Sequence, residues 1–259
     1  MSKQLRPRRP RRSSRVDPVL VEIVRNGVIA ITGEMKSNLM RTAYSMIIYE
    51  AEDFTVGLFD AAGNTVSIGM GLPMFVRGMS ETVKAMLAKF GADGLRPGDV
   101  LVTNDAYVTG SHLNHITLAV PVFQGRRIVA FTACMAHWAD IGAALNIVTR
   151  DIYSEGLQVP ILKLFNAGRR NEDLMEILMM NVRIPERAQG DPHMHLHTHL
   201  PAAFVVDAAL GFALDGLAEL LATDPALGEA LAGEFTFELA GFGAPGFGAP
   251  GFGAPGFGA

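Results

Sequence analysis

The feature that most constrains the fold is a pair of apolar runs separated by a short polar turn. The runs cover residues 116–123 and 127–135, and Gln124, Gly125 and Arg126 lie between them. Two such runs joined by a glycine-containing turn predict a β-hairpin. Strands that lack polar alternation are buried on both faces. We therefore expect this hairpin to be buried on both sides.

The rest of the chain predicts a mixture of helices and antiparallel hairpins, an α+β fold. Asp17-Pro18 is a favourable helix start, because an N-cap carboxylate precedes a proline at the first helical position. Apolar residues at three- and four-residue spacing predict helices over residues 18–44, 80–90, 171–182 and 202–221. Short apolar runs bounded by turn residues predict strands over residues 54–59, 65–68 and 100–103.

Charge divides the chain of 259 residues unevenly. Residues 1–16 carry seven basic side chains and no acid, whereas the remainder carries 26 acids against 15 bases. An acidic body argues against nucleic-acid binding. No run reaches the roughly 18–20 apolar residues of a membrane span, so we expect a cytoplasmic protein with no membrane partner. The single cysteine, Cys134, excludes an internal disulfide and is expected to fill the core.

These observations predict four segments along the chain. Residues 1–16 form a disordered basic arm, and residues 17–191 form the folded domain. Residues 192–240 form a divergent helical C-terminal segment, in which histidines alternate from His193 to His199. Residues 241–259 are a low-complexity tail of Gly-Phe-Gly-Ala units joined by proline, a composition that holds neither helix nor sheet.

Three histidines are the clearest candidates for chemistry. His112 and His115 precede the first hairpin strand, and His137 follows the second. Folding the hairpin about Gly125 and Arg126 places His115 opposite Ala136, so the three imidazoles meet at the open end. Three neutral nitrogen ligands on rigid strand ends are typical of a divalent metal site with a free position for water or substrate. Each could instead be an isolated histidine with its own hydrogen bonds.

Carboxylates near this open end are the second group of candidates. Asp53 precedes the strand that begins at Phe54, and Asp140 follows His137 by three residues. A carboxylate at a strand end can complete a metal shell or accept a proton. The same pattern is also typical of a solvated acid at the end of a strand.

Several motifs, in order, resemble the hydantoinase B/oxoprolinase family over about residues 17–191. They are Arg41-Thr42-Ala43-Tyr44-Ser45, Asp53-Phe54-Thr55, Pro97-Gly98-Asp99, Asn104-Asp105, Gly110-Ser111-His112-Leu113, Ala136-His137, Ala139-Asp140-Ile141-Gly142, Glu155-Gly156-Leu157 and Asn181-Val182-Arg183. The family includes B subunits of ATP-dependent hydantoinases and 5-oxoprolinases and alpha subunits of acetone carboxylases. The resemblance implies a hydantoinase B-like fold for this N-terminal region.

The resemblance also implies a mechanism shared with a partner. A hydantoinase A-like ATPase subunit would phosphorylate the carbonyl of a lactam or hydantoin, and this chain would complete ring opening. The family's metal ligands fall on His112, position 115 and His137, and a family aspartate falls on Asp53. Asp53 or Asp140 would then orient a ligand or take a proton. Substrate-binding roles are expected for Asn104, Asp105 and Glu155, although the first two are also ordinary turn formers.

The chain departs from the family pattern in three ways. His115 stands where the family has an aspartate, which favours zinc over manganese. Trp138 replaces a second family histidine, and the match ends near Asp191. The expected function is therefore that of a metal-binding subunit of a cyclic-amide hydrolase, with zinc or manganese here and ATP bound by the partner. An acetone-carboxylase-like subunit and a non-catalytic fragment are the alternatives.

Overall fold

The computed structural model of this chain describes residues 18–43, 45–143, 151–183 and 185. Five α-helices lie in these residues: α1 (Pro18–Thr42), α2 (Met46–Tyr49), α3 (Val76–Phe90), α4 (Ala106–Thr109) and α5 (Glu172–Met180). Seven strands accompany them: β1 (Phe54–Asp60), β2 (Thr65–Met70), β3 (Val100–Thr103), β4 (His115–Gln124), β5 (Arg127–His137), β6 (Leu162–Asn166) and β7 (Arg169–Arg170). The α+β prediction is confirmed.

The strands form one antiparallel sheet in the order β2-β1-β5-β4-β3-β6-β7. The predicted hairpin is the pair β4–β5 near its centre, and both strands are buried along most of their length. Helix α1 covers one face, where Val28, Met35 and Leu39 pack with Cys134. Helix α3 covers the other face through Met79 and other apolar side chains.

The register of the hairpin differs from the prediction by one residue at its open end. Near the turn, Gln124 pairs with Arg127, but a bulge between Val122 and Phe123 shifts all later pairs. His115 therefore lies opposite His137, not opposite Ala136. The midpoint calculation was wrong here because a β-bulge places an extra residue on one strand, which no symmetric count of pairs includes.

Other boundaries depart modestly from the predictions. Residues 69–78, between the predicted strand over 65–68 and the predicted helix over 80–90, contain the end of β2, a 3₁₀ turn at Pro73–Phe75 and the first turn of α3. The strands β6 and β7 were not predicted.

Among the described residues, no helix is long and apolar enough to cross a membrane. The predictions for residues 1–16, 192–240 and 241–259, and for the helix over 202–221, lie outside the described residues.

Gly71 supports the strand start that carries Asp53, and its substitution tests this packing. A Cβ at Gly71 would overlap the carbonyl oxygens of Glu52 and Phe54, both backbone atoms. We expect Gly71→Ala to lower the free energy of unfolding by about 2–3 kcal/mol in urea denaturation. Gly27→Ala is the control: it lies in α1 with open space around its Cβ, and should gain about 0.5–1 kcal/mol. Equal stability of the two variants would contradict the close contact at Gly71.

Candidate metal and catalytic site

Three imidazole rings meet at the open end of the β4–β5 hairpin. His115 begins β4 and His137 ends β5 directly opposite it, and His112 lies in the preceding loop. The His112 ring centroid is 4.3 Å from that of His115 and 5.2 Å from that of His137. The centroids of His115 and His137 are 5.1 Å apart. The structure thus brings together the three histidines that the sequence predicted.

Asp53 joins this group through β1, which pairs with β5. The Asp53 Oδ1 atom lies 2.9 Å from His115 Nε2. The backbone N–H of His137 donates to the Asp53 carbonyl oxygen at 3.2 Å, which ties the two strand ends together. The four predicted side chains therefore form one cluster, although Asp53 is far from the histidines in sequence.

The His115 ring is fixed by hydrogen bonds at both nitrogens and by an aromatic contact. Its Nδ1 atom lies 2.8 Å from the Ser111 hydroxyl, and the Phe75 ring centroid is 4.4 Å from its own. Only 2% of the residue is exposed. Sequence reasoning gave no role to Ser111 or Phe75. The serine four residues before His115 was a possible signal, but the position of Phe75 depends on the packing of α3 against the sheet.

Burial keeps His115 and His137 neutral at physiological pH. Desolvation lowers the pKa of His115, although its hydrogen bond to Asp53 opposes the shift. Desolvation, followed by the neighbouring His115, lowers the pKa of His137 to about 4. Neutral imidazole is the form that coordinates a metal ion. The electrostatics of the cluster therefore favour ligand chemistry over a cationic role.

The cluster fits a divalent metal in its donor chemistry. The buried Nδ1 atom of His137 has no hydrogen-bond partner, which is unusual for a buried polar atom and leaves a lone pair or proton free. As the side chains stand, however, no three His, Cys, Asp or Glu residues in the described ranges are placed to hold an ion. Both nitrogens of His115 already face Asp53 and Ser111. Metal binding would require at least one of these side chains to rearrange.

Asp140 is engaged elsewhere in the structure. Its carboxylate accepts hydrogen bonds from the backbone N–H of Gly142 at 2.9 Å and from the backbone N–H and guanidinium of Arg183, both at 2.7 Å. Burial alone would raise its pKa, but these hydrogen bonds and the Arg183 charge lower it. Because the Asp140 carboxylate is committed to Gly142 and Arg183, Asp53, which contacts His115, is the stronger candidate for proton transfer. Sequence reasoning had not anticipated Arg183 as its partner.

Asn104 is a buried crosslink between segments. Its amide nitrogen donates to the carbonyl oxygens of Leu113 at 2.8 Å and Leu157 at 2.9 Å, and its oxygen accepts from the N–H of Val159 at 2.6 Å. The side chain is completely buried. It joins the end of β3 to the loop that carries His112, so its observed contacts position the site.

Two further predicted substrate-binding residues lie at turns. The Asp105 carboxylate caps α4 by accepting from the N–H of Tyr107 at 3.0 Å. Glu155 ends the 3₁₀ helix Ile152–Ser154. Substrate-binding roles for Asn104, Asp105 and Glu155 stay predictions.

Comparison with known families gives one extended match. A model of the hydantoinase B/oxoprolinase family matches residues 17–198. The β subunit of caprolactamase from Pseudomonas jessenii is 32% identical over 180 residues, which are 68% of this chain and 31% of that protein. A 5-oxoprolinase of Saccharomyces cerevisiae is 32% identical over 165 residues, 62% of this chain and 13% of that protein. The chain spans about a third of the caprolactamase β chain.

Solved structures show the same fold. The crystal structure of ATP-dependent caprolactamase from Pseudomonas jessenii has a TM-score of 0.69 at 28% identity, covering 83% of this chain and 37% of that chain. A nucleotide-free acetone carboxylase has a TM-score of 0.66 at 18% identity, covering 83% of this chain and 28% of that chain. At 18% identity, the second likeness shows the fold alone.

Proposed function

Because this chain belongs to the hydantoinase B/oxoprolinase family, we propose that it acts in ATP-dependent opening of a cyclic amide. The ring would be 5-oxoproline, a hydantoin or a related lactam. The observation that carries the proposal is the cluster of His112, His115, His137 and Asp53 within a chain that matches the family over residues 17–198. The names of the relatives, a caprolactamase and 5-oxoprolinases, support this class of substrate.

A divalent metal, zinc or manganese, is proposed as the resident cofactor. His112, His115 and His137 would hold it, with Asp53 beside them. When bound, such an ion supplies Lewis-acid polarisation or an activated water. The unpartnered Nδ1 of His137 and the lowered pKa values of His115 and His137 support the proposal.

Side chains of this chain would position the cluster and accept a proton during the reaction. Asp53 holds His115 through one carboxylate oxygen and would accept a proton at its carboxylate during ring opening. Ser111 and Phe75 fix the orientation of the His115 ring. Asn104 keeps the loop of His112 against the end of β3, so the cluster is positioned before the substrate arrives.

A separate protein chain is proposed to supply ATP chemistry. Amide resonance makes a lactam carbonyl unreactive, and prior phosphorylation of its oxygen supplies a leaving group. Two relatives are named as components of larger enzymes: the caprolactamase β subunit and a putative D-/L-hydantoinase B-type chain from Pseudomonas sp. NS671, which is 30% identical. We propose a hydantoinase A-like ATPase as the partner of this chain.

Reconstitution tests the proposed function. The chain is co-expressed with a hydantoinase A-like ATPase, and ATP hydrolysis and ring-opened product are measured with 5-oxoproline, hydantoin and caprolactam. We expect ATP turnover coupled to opening of at least one ring. Turnover that instead needs a ketone and bicarbonate would identify an acetone-carboxylase-like activity. Equal activity of the complex with and without His137→Ala would indicate a non-catalytic fragment.

A further inference from the structure

A second candidate site lies at the opposite end of the sheet from the histidines. A cavity of about 400 Å³ lies between the end of α3 and the strands β6 and β7. It adjoins the start of β3, where Val100 pairs with Phe165, whereas the histidines lie beyond the end of β3, where Thr103 pairs with Thr117. The cavity is therefore separate from the cluster described above.

Positive charge surrounds this cavity. Four of its lining residues are cationic: Lys89, Lys163, Arg169 and Arg170. Two acids offset them: Asp99 lies 2.7 Å from Lys163 Nζ, and Glu172 pairs with Arg170. Four cationic and two acidic side chains leave a net charge of +2 around the cavity, which would be neutralised by a ligand of charge −2.

The two lysines of the cavity are held in place before any ligand arrives. Lys163 Nζ donates to the Gly94 carbonyl oxygen at 2.8 Å, and Lys89 Nζ donates to the carbonyl oxygen of Ile161. The ammonium groups of Lys163 and Lys89 lie 5.3 Å and 5.9 Å from the centroid of the Phe90 ring. Ordered cations lose less side-chain entropy when they bind an anion.

Asp99 is a buried partner of Lys163 and is not itself among the residues that line the cavity. It is completely buried and accepts the backbone N–H groups of Arg96 at 2.8 Å and Ala167 at 2.7 Å. It thus anchors Lys163 while being committed to the backbone beneath the cavity. Arg169, by contrast, is exposed on the edge strand and has no side-chain acceptor among the residues that the structure describes. Its guanidinium is free to meet a ligand.

We propose that this cavity binds a small phosphate monoester. A phosphate dianion matches the surplus of two charges, and guanidinium groups bind phosphate oxygens bidentately. A cavity of about 400 Å³ exceeds what phosphate alone fills and lies within the range of small-molecule sites. Phe90, Ile161 and Leu162 supply apolar walls for the organic part. This proposal does not depend on the function proposed above.

The test compares adenosine monophosphate with adenosine by calorimetry and by NMR titration of the full chain. We expect the monophosphate to bind and adenosine not to bind measurably. Lys89→Ala/Arg169→Ala should weaken monophosphate binding by about tenfold or more, because two charge-assisted hydrogen bonds are lost. Lys84→Ala/Arg41→Ala, which removes the same charge elsewhere, is the control and should bind as the unmodified chain does. Circular dichroism checks that each variant is folded.

Three outcomes would overturn the proposal. Equal weakening in both double variants would indicate non-specific charge attraction. Inorganic phosphate that binds as tightly as the monophosphate would show that the apolar walls contribute nothing. Absence of monophosphate binding would overturn the proposal by itself, and loss of association with the ATPase in Lys89→Ala/Arg169→Ala would then identify the surface as a contact for an acidic protein partner.

Discussion

Replacing His112 and His137 together by alanine is expected to abolish specific metal binding. The background for this measurement carries His193, His195, His197 and His199 as asparagine, because alternating histidines bind metal adventitiously. In that background we expect about one equivalent of zinc or manganese by elemental analysis, and almost none after His112→Ala/His137→Ala. In the complex with the ATPase, ring opening should fall by about 100-fold or more.

The comparison separates the metal hypothesis from a purely structural role. Retained circular dichroism with lost metal would support the cluster as the metal site. Unchanged metal content in the double variant would refute it, since the neutral imidazoles are then not the ligands. Metal absent from both chains, with the fold intact, would equally contradict the proposal and leave the three histidines without a metal-binding role.

Substitution of Asn104 by alanine is expected to cause the largest loss of stability of any polar change near the site. The change leaves two carbonyl oxygens and one N–H buried without partners, at Leu113, Leu157 and Val159. Each unmade hydrogen bond costs about 1–3 kcal/mol, so we expect the free energy of unfolding to fall by about 3–5 kcal/mol. Urea denaturation of the full chain measures this change.

Asn26→Ala supplies the matched comparison. Asn26 lies on the exposed surface of α1, where its amide reaches Glu22 at 3.4 Å. Its loss should change stability by less than about 0.5 kcal/mol. A similarly small effect at Asn104 would mean that water can replace its three contacts, and that the loop carrying His112 does not depend on this crosslink.

The hairpin and the convergence of three histidines could be predicted because both follow from local pattern. Apolar runs around a turn predict antiparallel pairing, and pairing brings the ends at His115 and His137 together. The bulge at Val122 could not be predicted, because it changes the register without changing the pattern of apolar residues. The strands β6 and β7 were missed because they are short and carry Lys163, Arg169 and Arg170, charges that mask alternation.

The contacts within the site, unlike the convergence of the histidines, could not be predicted from local pattern. The link from Asp53 to His115 spans 62 residues and exists only because β1 pairs with β5. The ion pair of Asp140 with Arg183 likewise joins segments 43 residues apart. Neither could be inferred from spacing along the chain. The identity of the side chains was predictable, whereas their partners depended on the order of strands in the sheet.

The bulge near the tip of the hairpin makes the site sensitive to chain length at a distance. His115 lies seven residues from Val122, or about 24 Å along an extended strand. Removing one residue of β4 between His115 and Val122 would shift the pairing by one position and turn His115 towards the opposite face from His137. Insertions at Gly125, outside the paired strands, would leave the two histidines where they are. The length of β4 between the bulge and His115 is therefore fixed by the need to keep the two histidines on one face. Natural variation in the length of the hairpin should be confined to its turn.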